Sequence, residues 1–294
     1  MLSIAVRYLF GRSPPPVLAA ACADLAPAVP ESRVRVDWPA SRVALSNRLW
    51  GMGFVFPGGE IETLRLVRPL GAASAASLLI VGVGGGGPAA AVTRNFGAWV
   101  TGVEHDPSLL AAARSFIGKA QLTKKVRIDA WNPWAPSFVP KSHHHCLALE
   151  PLHGAQPEPI LDGLASALRP GGQMVMTELT ADTPLNPNDP TVARWAVLER
   201  RDPDGLVPGI AITRMLGRVG LDVRIAEDIS ARHLEQAILG WRVLLHDLQG
   251  AKPPRQEAAQ MVAEAELWLL RRRLIRDGRL RLMRWHAISR TAIV

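Results

Sequence analysis

The chain has 294 residues, 48% of them hydrophobic, which is enough for one large domain or two small ones with a buried core. The net charge is +8 and the sequence pI is about 10.4, so anionic partners have to be considered. No apolar stretch reaches the roughly 18 residues of a membrane-spanning helix, and two cysteines make no disulfide framework. These features predict a cytoplasmic protein, and no nucleic-acid partner is expected.

The positive charge is concentrated near the end of the chain, where eight arginines lie between Arg271 and Arg290. Such a cluster is most often the solvated face of a helix. The alternative is a peripheral contact with an anionic membrane through Arg271, Arg284 and the arginines between them.

The first residues are rich in proline and alanine, and residues 1–45 are predicted to be an N-terminal extension. Residues 46–294 are predicted to form the main domain. Within it, residues 49–59 are an aromatic, glycine-rich loop that resembles a lid, and residues 60–70 have helical spacing.

An apolar run at residues 78–81 ends abruptly in glycines that include Gly82, Gly84 and Gly86, and an alanine-rich segment follows. This order predicts a strand, a glycine loop and a helix. Glycines allow a positive φ and a close approach of the backbone to a ligand. Glu104 ends the next predicted strand, about twenty residues on, where nucleotide-binding sheets place an acid near the ribose hydroxyls.

The glycine spacing fits two classes of site. Gly82, Gly84 and Gly87 match G-x-G-x-x-G, the dinucleotide pattern of NAD(P)-dependent oxidoreductases. Gly82, Gly84 and Gly86 match G-x-G-x-G, the pattern of methyltransferases that use S-adenosylmethionine (SAM). The glycines alone leave both interpretations open.

The rest of the chain alternates between strand and helix patterns. Strands are predicted at residues 99–104, 126–129, 145–149, 173–179, 220–225 and 280–288. Helices are predicted at residues 107–117 and 159–168, and helical insertions near residues 189–219 and 230–276. Such alternation is typical of a mostly parallel sheet with helices on both faces.

Five short segments carry a resemblance to a known family. They are V-G-V-G-G-G at 81–86, G-V-E-H-D-P at 102–107, D-A at 129–130, L-E-P-L-H at 149–153, and L-R-P-G-G at 168–172, which leads to Glu178. On these segments the chain resembles the class I SAM-dependent methyltransferases of the small-molecule type, such as methyltransferase type 11. Residues 49–59 are loosely similar to the corresponding loop of phosphoethanolamine and amine N-methyltransferases.

The resemblance implies a Rossmann-like, seven-stranded, mostly parallel sheet with a reversed last strand. It also implies that the cofactor SAM lies across the carboxyl ends of the first strands. Gly82, Gly84 and Gly86 would then lie under the methionine and ribose of SAM, and Glu104 would accept hydrogen bonds from both ribose hydroxyls.

Further cofactor roles follow from the same resemblance. Asp129 would accept the adenine amino hydrogen, with Ala130 and Trp131 against the ring, and His105 and Glu150 belong to the same predicted set. Two alternatives stay open, because Asp129 is also suited to cap a strand end and Trp131 to fill the core.

The function implied is SAM-dependent methyl transfer to an amine or oxygen of a small molecule or a lipid headgroup. His153, which follows the fourth predicted strand, is the candidate catalytic base, and a base is needed if the acceptor arrives protonated. The alternative for His153 is a loop histidine that caps the next helix.

Two positions depart from the family pattern. Ile80 stands where members usually have an acid that anchors the methionine end of SAM, and His144 stands where the fourth strand usually begins with aspartate. These departures motivate the alternative of a degenerate methyltransferase-fold protein acting as a binding or scaffold module; an NAD(P)-dependent oxidoreductase is less favoured.

No metal site is predicted, because His143, His144 and His145 would alternate between the two faces of a strand.

Overall fold

The computed structural model describes residues 38–152, 155–248 and 253–290. Its strands are β1 (Ser77–Val81), β2 (Trp99–Glu104), β3 (Val126–Ala130), β4 (His143–Leu149), β5 (Leu168–Thr180), β6 (Leu221–Asp228) and β7 (Arg281–Ser289). They form one sheet in the order β3-β2-β1-β4-β5-β7-β6. Neighbouring strands are parallel except for β7, which is antiparallel to β5 and β6. The predicted seven-stranded, mostly parallel sheet with a reversed last strand is confirmed.

The helices connect the strands and cover the sheet. They are α1 (Ala40–Trp50), α2 (Gly59–Val67), α3 (Gly87–Phe96), α4 (Pro107–Lys119), α5 (Pro157–Ala167), α6 (Pro190–Glu199), α7 (Gly209–Arg218), α8 (Ser230–Asp247) and α9 (Arg255–Arg276). Within the described ranges, no helix is both long enough and apolar enough to cross a membrane.

Strand β1 shows that the sheet is buried on both faces, as parallel strands usually are. Leu78 and Ile80 belong to a core cluster with residues of α2, α3 and α4. Leu79 and Val81 belong to a second cluster with residues of α5 and α7. Because successive side chains alternate across a strand, this assignment places the two clusters on opposite faces of the sheet.

Helices α1, α8 and α9 pack together and form what we call the helical cap. Their shared core contains Leu45, Trp50, Trp241 and Trp268. The packing is close, since a Cβ atom on Gly240 of α8 would lie 2.4 Å from the ring of Trp50. Glycine in a helix is costly, by about 1 kcal/mol relative to alanine, but it permits this approach of α8 to α1.

Helix α1 was not predicted, and β5 begins at Leu168, earlier than residue 173, where the predicted strand begins. The buried side of α1 includes Arg42 and Ser46 beside Leu45 and Leu49. These polar residues conceal the apolar stripe by which an amphipathic helix is recognised.

Candidate functional site

A cleft lies at the carboxyl edge of the sheet, where the strand order reverses between β1 and β4. Its floor includes Gly82, Glu104, Leu149 and Glu150, which end or follow β1, β2 and β4. Its other walls include residues of the loop 51–58 and of the helical cap. The cavity inside the cleft has a volume of about 140 Å³.

The glycine loop after β1 has a backbone that side chains would not permit. Gly82 has a φ of +74° and Gly84 a φ of +59°, both in the left-handed region. A Cβ atom on Gly82 would lie 2.5 Å from the carbonyl oxygen of Leu149. Glycine is therefore required at Gly82 both for the backbone angle and for the contact between the loop and β4.

Glu104 ends β2 and is 3% exposed. Its Oε2 accepts from the Gly84 N–H at 2.8 Å, and its Oε1 accepts from the backbone N–H groups of His105 at 2.9 Å and Asp106 at 3.2 Å. These bonds hold the carboxylate against the glycine loop, and hydrogen bonds to a charged group are among the stronger ones in proteins.

Glu150 follows β4 and has a φ of +45°, a strained conformation for a residue other than glycine. Its N–H donates to the Thr177 carbonyl at 2.8 Å. Its carboxylate accepts from Arg201 and from Arg271, each at 3.3 Å. Glu150 therefore joins the sheet edge to the helical cap through ion pairs inside the cleft.

Glu178 is buried beneath Glu150 in the same ionic network. It accepts from Arg201 Nη1 at 2.9 Å and from the Leu152 N–H at 2.9 Å. Burial raises the pKa of Glu178, although Arg201 opposes this effect, and the nearby charge of Glu150 adds to it. Arg201 and the Leu152 N–H thus favour the charged form of a carboxyl group that burial and Glu150 disfavour.

The wall formed by the helical cap also carries paired charges. Arg42 Nε of α1 donates to Glu264 of α9 at 2.9 Å, and Glu264 also accepts from the indole N–H of Trp268 at 3.2 Å. Glu62 of α2 accepts from Arg232 of α8 at 3.0 Å. Ion pairs of this kind make burial of charge tolerable in an otherwise apolar wall.

The loop 51–58 lies directly on the glycine loop. The Gly87 N–H donates to the Gly53 carbonyl at 3.0 Å, and the Gly53 N–H donates to Asn47 Oδ1 at 2.8 Å. Val55 and Phe56 line the cleft. The loop therefore closes the cleft on the side of the glycine loop, in the place of the predicted lid.

No protein-family model matches the chain. Phosphoethanolamine N-methyltransferase 2 of Caenorhabditis elegans is 26% identical over 131 residues, which cover 44% of this chain and 30% of that protein. An O-methyltransferase of Penicillium expansum is 29% identical over 175 residues, which cover 58% of this chain and 62% of that protein.

The structure of Haemonchus contortus phosphoethanolamine N-methyltransferase 2 in complex with SAM aligns with a TM-score of 0.73 and 19% identity, over 85% of this chain and 57% of that one. The chain has the class I methyltransferase fold. In each of these three matches, the chain spans less than two thirds of the length of the known protein. The predicted resemblance to methyltransferases is confirmed at the level of sequence similarity and fold.

In this methyltransferase fold, several of the predicted cofactor residues come together. Gly82, Glu104, His105 and Glu150 all line the cleft, and Gly84 contacts Glu104 from the same loop as Gly86. The roles assigned to them stay predictions.

The predicted cofactor residues at the end of β3 are not among the residues that line the cleft. Asp129 Oδ2 lies 2.6 Å from Arg127 Nε. Trp131, next to Ala130, is 9% exposed and packs in the core with its ring centroid 5.9 Å from that of Phe138. These contacts favour the core alternative for Trp131, and the adenine contacts of Asp129 and Ala130 stay predictions.

Three further positions from the sequence can be located. His153 lies outside the described residues, so its role as a base stays a prediction. His144 accepts from the Ser77 N–H at 3.0 Å, and its Nε2 lies 2.8 Å from Arg169, at the opposite edge of the sheet. Ile80 is fully buried among apolar side chains.

Sequence reasoning missed the residues that the helical cap brings to the cleft. The wall contains Arg42, His233, Glu264, Trp268 and Arg271. A signal existed for three of them, because Glu264, Trp268 and Arg271 are spaced by four and three residues and so share one face of α9. Charged residues on the otherwise apolar face of a helix indicate buried ion pairs or a site.

Proposed function

We propose that the chain is a SAM-dependent methyltransferase that acts on a small-molecule acceptor. The observation that carries the proposal is Glu104, a buried carboxylate fixed beside a glycine loop at the reversal point of the sheet. A carboxylate in this place suits a pair of ribose hydroxyls, since its two oxygens accept hydrogen bonds. The left-handed angles of Gly82 and Gly84 let the backbone approach the same ligand.

When bound, SAM supplies a methyl group already activated on a sulfonium, so the protein has mainly to position the acceptor and exclude water. Glu104 and the glycine loop would hold the nucleoside and amino-acid parts of SAM. The loop 51–58 would exclude water from one side of the reacting groups, and the helical cap would bind the acceptor.

The similar proteins named above include a phosphoethanolamine N-methyltransferase and an O-methyltransferase. They support the narrower proposal that the methyl group is transferred to an amine or an oxygen of a small molecule or a lipid headgroup. His153 remains the proposed base for an acceptor that arrives protonated. Peripheral membrane contact by the basic end would depend on Arg273, Arg276 and Arg281, which are exposed, because Arg271 and Arg284 are buried.

Calorimetry with SAM and, separately, with NAD tests the proposal against its alternatives. We expect SAM to bind and NAD not to bind. Binding of NAD alone would identify an oxidoreductase. Failure of both ligands would favour the degenerate methyltransferase-fold protein.

Glu104→Gln is expected to weaken SAM binding by roughly tenfold to a hundredfold, which corresponds to the 1.5–3 kcal/mol of hydrogen bonds to a charged group. The amide keeps the size of the side chain but has one oxygen instead of two. Calorimetry measures the affinity, and thermal unfolding shows whether the fold is retained. An affinity equal to that of the parent in a folded Glu104→Gln protein would remove the ribose assignment.

Gly53→Ala is expected to weaken SAM binding about tenfold by opening the loop 51–58. Gly53 has a φ of +81°, and a Cβ atom there would lie 2.6 Å from the Gly87 nitrogen. Gly71→Ala is the matched control, since Gly71 has a φ of +64° and a Cβ atom there would meet no described atom within 4 Å. Equal SAM affinities for the two variants would show that the loop does not cover the cofactor.

A further inference from the structure

The helical cap brings into the cleft a histidine that has no part in the proposed cofactor site. His233 lies in the first turn of α8, lines the cleft and is 6% exposed. Its ring centroid lies 5.3 Å from that of Trp268 in α9. His233 is therefore held by packing at the wall opposite the sheet edge.

Two buried polar atoms lie beside Trp268. Within the part of the chain that the structure describes, neither His233 Nε2 nor Arg271 Nε has a hydrogen-bond partner. The Arg271 guanidinium lies 5.2 Å from the Trp268 ring, and its Nε is 3.9 Å from a carboxylate oxygen of Glu199. A buried polar group without a hydrogen-bond partner destabilises the fold, so such groups on residues that line a cleft indicate a ligand that completes them.

The charge state of His233 determines which kind of hydrogen-bonding group the ligand presents to it. Burial, together with the positive charges of Arg271 and Arg232, lowers the pKa of His233 well below its usual value. The imidazole is therefore neutral at neutral pH. A neutral imidazole nitrogen without a hydrogen accepts a hydrogen bond from a hydroxyl group.

The ionic groups of the cap wall are already matched. Arg42 pairs with Glu264 at 2.9 Å, and Arg271 pairs with Glu150 at 3.3 Å. An anionic acceptor would have to displace a carboxylate from its arginine, and a cationic acceptor would have to displace the arginine. Breaking a buried ion pair is costly, so the wall favours an acceptor without charge.

We infer that the methyl acceptor is a neutral, hydroxyl-bearing molecule with an apolar skeleton, and that His233 Nε2 binds its reacting hydroxyl. The inference rests on the proposed function and adds the acceptor class to it. The hydroxyl donates to His233, in the tautomer with hydrogen on Nδ1, and accepts from Arg271 Nε–H. The skeleton lies against the apolar surfaces of Trp268, Leu267 and Phe56, which line the same cleft.

The transfer balances with these groups. The acceptor oxygen forms a bond to the methyl carbon, while the bond between that carbon and sulfur breaks and its electron pair stays on sulfur. The hydroxyl proton passes to His233 Nε2, which acts as the base in place of His153 for this class of acceptor, and from there to solvent. An oxygen that has gained a methyl group while still protonated is strongly acidic, so a weakly basic imidazole is sufficient to accept its proton.

The test uses the full chain saturated with S-adenosylhomocysteine and three matched probes in calorimetry. 2-Naphthol has the hydroxyl, 2-methoxynaphthalene has no donor hydrogen, and 2-naphthyl phosphate has a charge at the same position. We expect 2-naphthol to bind about tenfold more tightly than 2-methoxynaphthalene, as one hydrogen bond allows, and more tightly than the phosphate. Absence of 2-naphthol binding, or tighter binding of the phosphate, would overturn the inference.

Variants assign the preference to His233. His233→Phe should lose the preference for 2-naphthol without loss of thermal stability, because Nε2 has no bond to lose within the described residues. His233→Gln should keep part of the preference for 2-naphthol, since the glutamine amide oxygen accepts a hydrogen bond. His246→Phe, at an exposed histidine of the same helix, is the control and should keep all of it.

The outcomes separate the two levels of the proposal. A chain that fails to bind S-adenosylhomocysteine contradicts the proposed function itself. A chain that binds S-adenosylhomocysteine, but in which His233→Phe keeps the parent's preference for 2-naphthol, contradicts only the role of His233.

Discussion

Replacing Gly84 with valine is expected to abolish SAM binding while the sheet remains folded. Gly84 has a φ of +59°, and this conformation is a genuine outlier for a β-branched residue. A Cβ atom at this position would lie 2.9 Å from Val55 Cγ2 in the loop 51–58. The Gly84 N–H also holds Glu104 at 2.8 Å, so a shift of the loop moves the proposed ribose-binding carboxylate as well.

The matched control for Gly84→Val is Gly278→Val. Gly278 has a φ of +70°, and a Cβ atom there would meet no described atom within 4 Å. The control therefore imposes a similar backbone strain, of about 1–2 kcal/mol, outside the cleft. Calorimetry with SAM should show no binding to Gly84→Val and parent-like binding to Gly278→Val. If the folded Gly84→Val protein binds SAM like the parent, the cofactor site lies elsewhere.

The proposed cofactor side of the cleft could be located from sequence because its information is local. A buried strand, a run of glycines and an acid at the end of the next strand stand within about thirty residues of the chain. Parallel strands bring their carboxyl ends to one edge, so Gly82 and Glu104 had to meet once the sheet formed. Trp131 shows the limit of this reasoning, since a strand-end tryptophan suits either a ligand or the core.

The proposed acceptor side could not be located in the same way, because its residues meet only after three helices have packed together. Arg42 and Glu264 are 222 positions apart in the chain and lie 2.9 Å apart in the fold. Arg271 is a second residue whose place in the fold could not be read from the sequence, where it belongs to the basic cluster that suggested membrane contact. It is 5% exposed and pairs with Glu150, and an arginine is buried in this way only when its charge is matched.

Replacing Arg201 with methionine is expected to lower the free energy of unfolding by about 3–5 kcal/mol, the usual cost of removing one partner of a buried ion pair. Arg201 joins Glu178 at 2.9 Å and Glu150 at 3.3 Å, and its side chain is 6% exposed. Methionine fills a similar length but leaves the Glu178 carboxylate buried without its cation. Denaturant unfolding at constant pH measures the loss.

The control and the pH dependence identify the cause of this loss. Arg224→Met removes a 2.7 Å ion pair with Asp222 whose side chains are 58% and 45% exposed, and it should cost no more than about 1 kcal/mol.

The folded pKa of Glu178 is already raised, and without Arg201 it rises further, so the folded variant binds a proton that the unfolded chain releases. Stability of Arg201→Met should therefore fall as the pH rises above the usual glutamate range, making its deficit larger near about pH 8 than near about pH 5. In the double variant with Glu178→Gln, most of the difference between the deficits at the two pH values should disappear. A deficit that is equal at both pH values would show that lost packing, and not the unpaired carboxylate, destabilises the variant.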